Sequence, residues 1–510
     1  MFIREKRNKS GSISVQVLQK IKGHNKLLKS IGSGKDEEQL VLLRRLAQEF
    51  IDDKLGQLKF DLPSEESSDS EWFDIVHRSI KSVKLVGPEL ILGKLYDDIG
   101  FNQIIDPLFR HLVISRIIYP SSKLKTVRYL MEYEMKEYQV DKLYRYMDKL
   151  EVGLKTRIEQ ISFNHTKKIL DGLMSVVFYD VTTIYFEAER EDDLRISGFS
   201  KEGKHKHPQI LLGLLVSVDG YPLAYEIFKG NEYEGHTMLP VINKFKTRFN
   251  IDQLVVIADS GLLSKDNIEY LISTKQEFIL GARIKSERDD IKRQITSLQL
   301  KDNECHIIKK SEELKLVINY TKKRAKKDAY NRKRGMTRLE KNLSKGRLTK
   351  SNLNNRGYNK YLRLTGKVDI SIDYDKFERD AQWDGLKGYL TNTKLSAKEL
   401  LANYNELWKI EKAFRISKTD LRIRPVYHRL ERRIKAHICI SFAAYKLYKE
   451  LERQISLIKS PFSAQRVIEL MKTIYGIEIE HPATAKSKLI THTNKSEQRK
   501  LLKIFKIDVG

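Results

Sequence analysis

The segment Val176-Val177-Phe178-Tyr179-Asp180-Val181-Thr182-Thr183 limits the fold more tightly than any other part of the chain. It is an apolar run rich in β-branched and aromatic residues, with one carboxylate set into its middle. Such a run predicts a strand buried on both faces. An ionised group there needs a partner cation. If that cation is a metal ion, further carboxylates must converge on Asp180 from elsewhere in the chain.

A second run, Leu254-Val255-Val256-Ile257-Ala258, ends in Asp259-Ser260-Gly261. Between the two lie a basic loop at residues 200–207, an apolar strand at 210–218, an Asp219-Gly220 hairpin turn into a strand at 223–228, and a helix at about 237–249. A helix near 266–273 and a strand at 278–282 complete the order βββαβαβ. Three sequential strands followed by βα units is the order of an RNase H-like sheet, in which the first and fourth strands are neighbours. Asp180 and Asp259 are then side by side. The expected fold is α/β: an RNase H-like mixed-sheet core (171–283 and 396–455) interrupted by a β-rich basic insertion (284–395). Before the core come a β-hairpin plus helix (1–62), an acidic linker around 63–71 and a helical region (72–170). A helical C-terminal tail (456–510) follows it.

Charge narrows the partner. The 510 residues carry 95 Lys and Arg against 68 Asp and Glu, a net of +27, which favours polyanions and above all nucleic acid. The basic residues cluster: between Thr321 and Lys350 there are 13 Lys or Arg and two acids. The helical region interleaves Lys142, Tyr144, Arg145 and Tyr146, as a DNA-binding module would, though a helical bundle with a solvated basic face has the same pattern. No apolar run reaches the roughly 18–20 residues that span a bilayer, and the first residues lack an apolar signal core, so a cytoplasmic, nucleoid-associated protein is expected. Cys305 and Cys439 stand apart, without zinc-ligand spacing, so any metal is expected on oxygen ligands.

The third carboxylate is sought after the insertion. Ser396-Ala397-Lys398-Glu399 is a capping-box pattern, followed by an apolar stripe at Leu400, Tyr404, Leu407, Trp408 and Phe414. Two turns separate Tyr404 from Glu411 and Glu411 from Lys418, so all three are expected on one helix face, with Glu411 pointing toward the sheet. A lone Glu on such a stripe is more often a flank residue whose head reaches solvent. Here the chain resembles IS4-type transposases. Their signature of Tyr, two residues, Arg, three residues, Glu, six residues, Lys is met by Tyr404, Glu411 and Lys418, with Leu407 in the Arg position. The runs Trp408 to Arg415, Arg424-Pro425-Val426-Tyr427-His428 and Arg433-Ile434-Lys435-Ala436-His437 are similar to the IS1634 subgroup, as are Phe178 to Thr183, Gly230-Asn231 and Ala258 to Gly261.

The resemblance implies a DDE transposase with Asp180, Asp259 and Glu411 as the metal-binding triad. Asp259 follows Asp180 by 79 residues and Glu411 follows Asp259 by 152. Two Mg²⁺ ions, with Mn²⁺ as the substitute, suit three carboxylates. About 3.5–4 Å apart, they would activate the attacking water and hold the leaving oxygen. The freed 3′-OH would then attack target DNA. Candidate DNA contacts are Tyr404, Arg415 and Lys418 around the Glu, with core packing as the alternative for Tyr404. Others are Lys204, His205 and His207 in the basic loop, and Lys322, Lys323, Arg324, Arg332, Lys333 and Arg334 in the basic run. His428 and His437 fit a phosphate contact or a packing role equally well. Asp219, Glu226, Glu232 and Glu234 are set aside as ligands. The expected partners are double-stranded DNA, as terminal inverted repeats and target, and a second copy of the chain. An RNase H-like nuclease or resolvase without strand transfer, and a non-catalytic DNA-binding descendant of a transposase, are the alternatives.

Overall fold

The computed structural model describes the chain apart from residues 22, 56–67, 151–152, 173, 189, 200–202, 204–205, 350–351, 355–356, 366–368, 483 and 509–510. Lys204, His205 and most of the expected acidic linker therefore lie outside the described residues. The chain divides into two compact units, residues 1–80 with 480–486, and residues 81–479 with 487–510.

In the first unit, β1 (Phe2–Arg7), β2 (Ile13–Ile21) and β3 (His24–Gly34) form an antiparallel meander, followed by α1 (Glu37–Leu55) and α2 (Ser68–Ser79). Val15 and Val17 pack with Leu40, Ala47 and Ile51 of α1. The expected hairpin thus has a third strand. Four of the six residues of β1 are charged, as suits an edge exposed to water, and that composition hides it from a hydrophobic pattern.

Beyond β4 (Ile80–Leu85) come the helices α3 (Lys94–Ile99), α4 (Pro107–Ile118), α5 (Lys123–Glu134), α6 (Val140–Lys149) and α7 (Leu154–Ile169). The core follows as β5 (Val176–Tyr185), β6 (Gln209–Ser217), β7 (Pro222–Lys229), α8 (Met238–Phe249), β8 (Val255–Ala258), α9 (Lys265–Ser273), β9 (Phe278–Ala282) and α10 (Asp289–Thr296). Next are β10 (Cys305–Lys309), β11 (Lys315–Tyr320), α11 (Lys322–Ser344), β12 (Leu362–Thr365), β13 (Asp369–Ile372), α12 (Tyr374–Asp380) and β14 (Leu386–Thr391). The chain finishes with α13 (Ala397–Asn405), α14 (Trp408–Thr419), α15 (Glu431–Leu457), α16 (Ala464–Met471), β15 (Tyr475–Glu480), β16 (Ser487–His492) and α17 (Ser496–Ile504).

The main sheet has eight strands in the order β10-β11-β14-β9-β8-β5-β6-β7. Its half from β9 to β7 has the expected order: β5 pairs antiparallel with β6 and parallel with β8, so the first and fourth core strands are neighbours. Val177, Tyr179 and Val181 pack toward Val241, Ile242 and Phe245 of α8. Phe178 and Ile184 pack into the larger cluster that holds α15. Each such fully buried side chain contributes about 1.5–3 kcal/mol, so β5 is anchored from both sides.

Four further expectations change. The residues 284–395 do not build a separate β-rich module: β10, β11 and β14 extend the core sheet, and the basic run is the 23-residue helix α11. Its short apolar stripe of Met336 and Leu339 packs on Tyr361, Leu362 and Ile372, and the cationic faces stay in solvent. The C-terminal tail is not wholly helical, because β15 and β16 form a sheet with β4. That pairing joins segments almost 400 residues apart, which no local pattern can register. Asp180 is half-buried, not enclosed on both sides. Finally, Tyr404 and Glu411 do not share one helix: α13 ends at Asn405 and α14 begins at Trp408.

Candidate active site

The register of the two central strands places the aspartates. Tyr179 of β5 lies opposite Ala258 of β8, and the next residue on each strand is Asp180 or Asp259. The Asp259 carboxylate accepts a hydrogen bond from the Gly261 amide at 2.8 Å, capping the turn that follows β8. A β-carbon at Gly261 would lie 3.0 Å from that same Oδ1, so glycine leaves the carboxylate its place. Asp180 Oδ1 accepts from the Val181 amide at 2.7 Å.

Glu411 approaches from the helical layer. Ser396 and Glu399 form the expected capping box, which starts α13. Leu407, in the turn between α13 and α14, is only 8% exposed and packs in the cluster of Leu400, Tyr404 and Ile410. An Arg there would place a charge in an apolar setting. Glu411 sits on the solvent side of α14.

Tyr404 is buried on α13. It is 6% exposed, and its ring meets Tyr389 of β14 edge-on at 4.6 Å. Burial pushes its phenol above the ordinary range, and the charges of Asp259, Glu411 and Asp180 all push the same way. Core packing, the alternative to a DNA contact, is what its burial and its contact with Tyr389 show for Tyr404.

Lys387 of β14 was not singled out in the sequence. Its ammonium lies 4.6 Å from the centre of the Tyr404 ring and 5.2 Å from that of Tyr389. Burial lowers its pKa and Arg324 lowers it further, while Glu411 raises it. The only sequence signal was a lone lysine beside Gly388-Tyr389 in an otherwise apolar strand. Because α11 begins just after β11, which pairs with β14, Arg324 of the basic run reaches this same corner.

Among the described residues no group of three or more His, Cys, Asp or Glu side chains is drawn together closely enough to hold a metal ion. Asp180, Asp259 and Glu411 are therefore not closed into a cage. Their donor chemistry, three carboxylates without thiol or imidazole, nonetheless fits a hard divalent cation such as Mg²⁺.

The remaining candidates are distributed around this end of the sheet. Lys418 is half-buried on α14, two turns beyond Glu411, and Arg415 is exposed on the same helix. Lys322, Lys323, Arg324, Lys333 and Arg334 are exposed along α11. Arg332 is held inside the insertion, 2.5 Å from Asp384 and over the Phe377 ring. A cavity of about 450 Å³ between α11 and the ends of β9 and β14 is lined by Arg283, Lys285, Arg324, Lys360 and Lys387, together with Asp328, Asp380 and Asp384. His207 rests near the Tyr185 ring. Glu226 is engaged by Lys155 at 2.9 Å and Lys244 at 3.3 Å. No helix among the described residues is long and apolar enough to cross a membrane.

Asp180 and Asp259 thus follow paired residues of adjacent strands, Glu411 lies on the solvent side of α14, and a cavity lined by both basic and acidic residues lies between α11 and the ends of β9 and β14. The chain belongs to the family of the transposase DDE domain, whose model matches residues 171–447. No curated protein sequence matches it. Among solved structures it is similar to the piggyBac transposase synaptic complex with hairpin DNA, at 9% identity over 72% of this chain and 69% of that one, with a TM-score of 0.39. It is also similar to the Mos1 transposase paired-end complex with left transposon end, at 12% identity over 47% of this chain and 66% of that one, with a TM-score of 0.16. The family assignment rests on the domain match alone.

Proposed function

We propose that this protein is the transposase of an insertion sequence of the IS4 type, IS1634 subgroup. It binds the element's terminal inverted repeats as a dimer, hydrolyses the phosphodiester at each end and transfers the 3′-OH ends to target DNA. What supports the reading most is the match to the transposase DDE domain over residues 171–447, together with the register that sets Asp180 and Asp259 one residue beyond the paired Tyr179 and Ala258. Asp180, Asp259 and Glu411 would hold the Mg²⁺ ions, which when bound supply Lewis-acid stabilisation to both the attacking and the leaving oxygen.

The chain's own residues do the positioning. Tyr389 and Tyr404 hold Lys387 at the edge of the carboxylates, where its ammonium would take a non-bridging phosphate oxygen. Arg324 and the rest of α11 lead a backbone toward the site. Lys418 and Arg415 extend the cationic edge along α14. The net charge of +27 supports long-range capture of DNA.

The test is a pair of assays, cleavage of uncut element ends and joining of pre-cut 3′-OH donor ends to a target plasmid, run with Mg²⁺ and with Asp180→Asn and Glu411→Gln controls. Joined product from the unaltered chain alone is the expected outcome. Cleavage without joining would leave a nuclease, and normal cleavage by both variants would remove the triad from the mechanism.

A further inference from the structure

A second strongly cationic cavity lies away from the triad, between the α4–α5 turn and the segment leading into α15. It encloses about 420 Å³ and is lined by Arg116, Lys123, Arg422, Arg424, His428 and His437 among others, and no Asp or Glu lines it. Arg116 is 5% exposed and Lys123 4%. Arg116 reaches the imidazole of His437 at 3.4 Å, and that ring is itself held by the Ile423 carbonyl at 2.9 Å. Among the described residues Lys123 makes no hydrogen bond or ion pair with the protein. Two buried cations without a carboxylate between them are costly unless an anion completes them. Lys123 is also the first residue of the twelve-residue helix α5, capped by Ser122, so its amino-terminal N–H groups favour the same sign of ligand.

We propose that this cavity is a phosphate-binding site, filled by a DNA backbone phosphate remote from the one being cut. The DNA source rests on the transposase reading; the phosphate site itself rests on the buried cations. The cavity is tied to the catalytic strand, since Val426 bridges to Phe186 and donates its amide to the Tyr185 carbonyl at 3.3 Å. Tyr185 is five residues beyond Asp180 on β5, about 16 Å at about 3.3 Å per residue. A duplex rising about 3.4 Å per base pair covers that distance in about five pairs. Lys123, through its burial and the nearby Arg116, has a pKa well below the usual lysine range, and burial with Lys123 and Arg116 holds His428 at about 3. Both effects are those of positive charge lacking a counter-charge.

The test uses the full-length chain with Lys123→Met, which keeps the volume, and Lys123→Arg, which keeps the charge. Inorganic phosphate, compared with chloride at equal ionic strength, should raise the melting temperature of the unaltered protein and of Lys123→Arg, but not of Lys123→Met. For duplex DNA, the slope of log affinity against log salt should become shallower by about 0.9 in Lys123→Met and stay unchanged in Lys123→Arg. Phosphate stabilisation with an unchanged DNA slope would overturn the DNA source in favour of a free phosphate. Absence of both effects would overturn the site. A chain that binds no DNA at all would defeat the transposase reading, while the phosphate titration still decides the cavity.

Discussion

Tyr404 on α13 and Gly281 on β9 are so closely apposed that a β-carbon on the glycine would lie 2.6 Å from the phenolic oxygen and 3.0 Å from the Ser260 amide. Ser260 follows Asp259 directly, so a side chain at 281 presses on the tyrosine and on the turn holding the second aspartate. Gly281→Ala should cost about 1–3 kcal/mol in stability, as overpacking of a tight site does. Cleavage should fall by more than the loss of folded protein explains. Parallel urea melts and cleavage assays measure both.

Removing only the hydroxyl separates Tyr404's two roles. Tyr404→Phe keeps the ring against Tyr389 and Lys387. Its melting temperature should stay within a few degrees, while cleavage falls about tenfold or more, about 1.4 kcal/mol or more in the barrier. Tyr404→Ala should lose about 3–5 kcal/mol of stability as well. Equal activity in Tyr404→Phe and the unaltered chain would reduce the tyrosine to packing.

Substitution of the acids should spare DNA affinity. In Asp180→Asn, Asp259→Asn and Glu411→Gln the net charge rises by one each, so binding of a duplex is unchanged or slightly tighter. Loss of several kcal/mol of Lewis-acid stabilisation corresponds to about a thousandfold loss of cleavage at about 1.4 kcal/mol per decade. Gel-shift and cleavage assays on the same preparations make the comparison.

Acid should destabilise the fold before its carboxylates titrate. Burial, foremost, holds His111 at about 4 and His165 and His428 at about 3, with neighbouring cations lowering each further. Unfolded, all three take up protons near 6.5. The unfolded state therefore binds more protons as pH falls from about 6.5 to about 4, and stability declines through that window. Urea midpoints at pH 7.5 and 5 should show the drop, and His428→Gln should make it shallower.

The apolar runs ending at Asp180 and Asp259 could be read directly from the sequence, because a strand buried between helical layers leaves an uninterrupted apolar signature. The order of elements then made those strands neighbours, and the register agrees, with Tyr179 opposite Ala258. The capping box at Ser396 was equally legible, since its chemistry is local. The break between α13 and α14 was not, because periodicity carries through a short turn when Leu407 stays in the core.

What the sequence determined by itself was thus the set of local commitments: which runs become strands, where α13 starts, which residues carry charge. Only the tertiary structure decided which of those residues meet. It brought Lys387 against Tyr389 and Tyr404, with Arg324 lining the same cavity, by adding β14 and β11 to the core sheet, and it left Arg116 and Lys123 buried together without an acid. Such meetings depend on pairings across tens to hundreds of residues. Their free energy comes from burying whole faces, so no short window of sequence contains them.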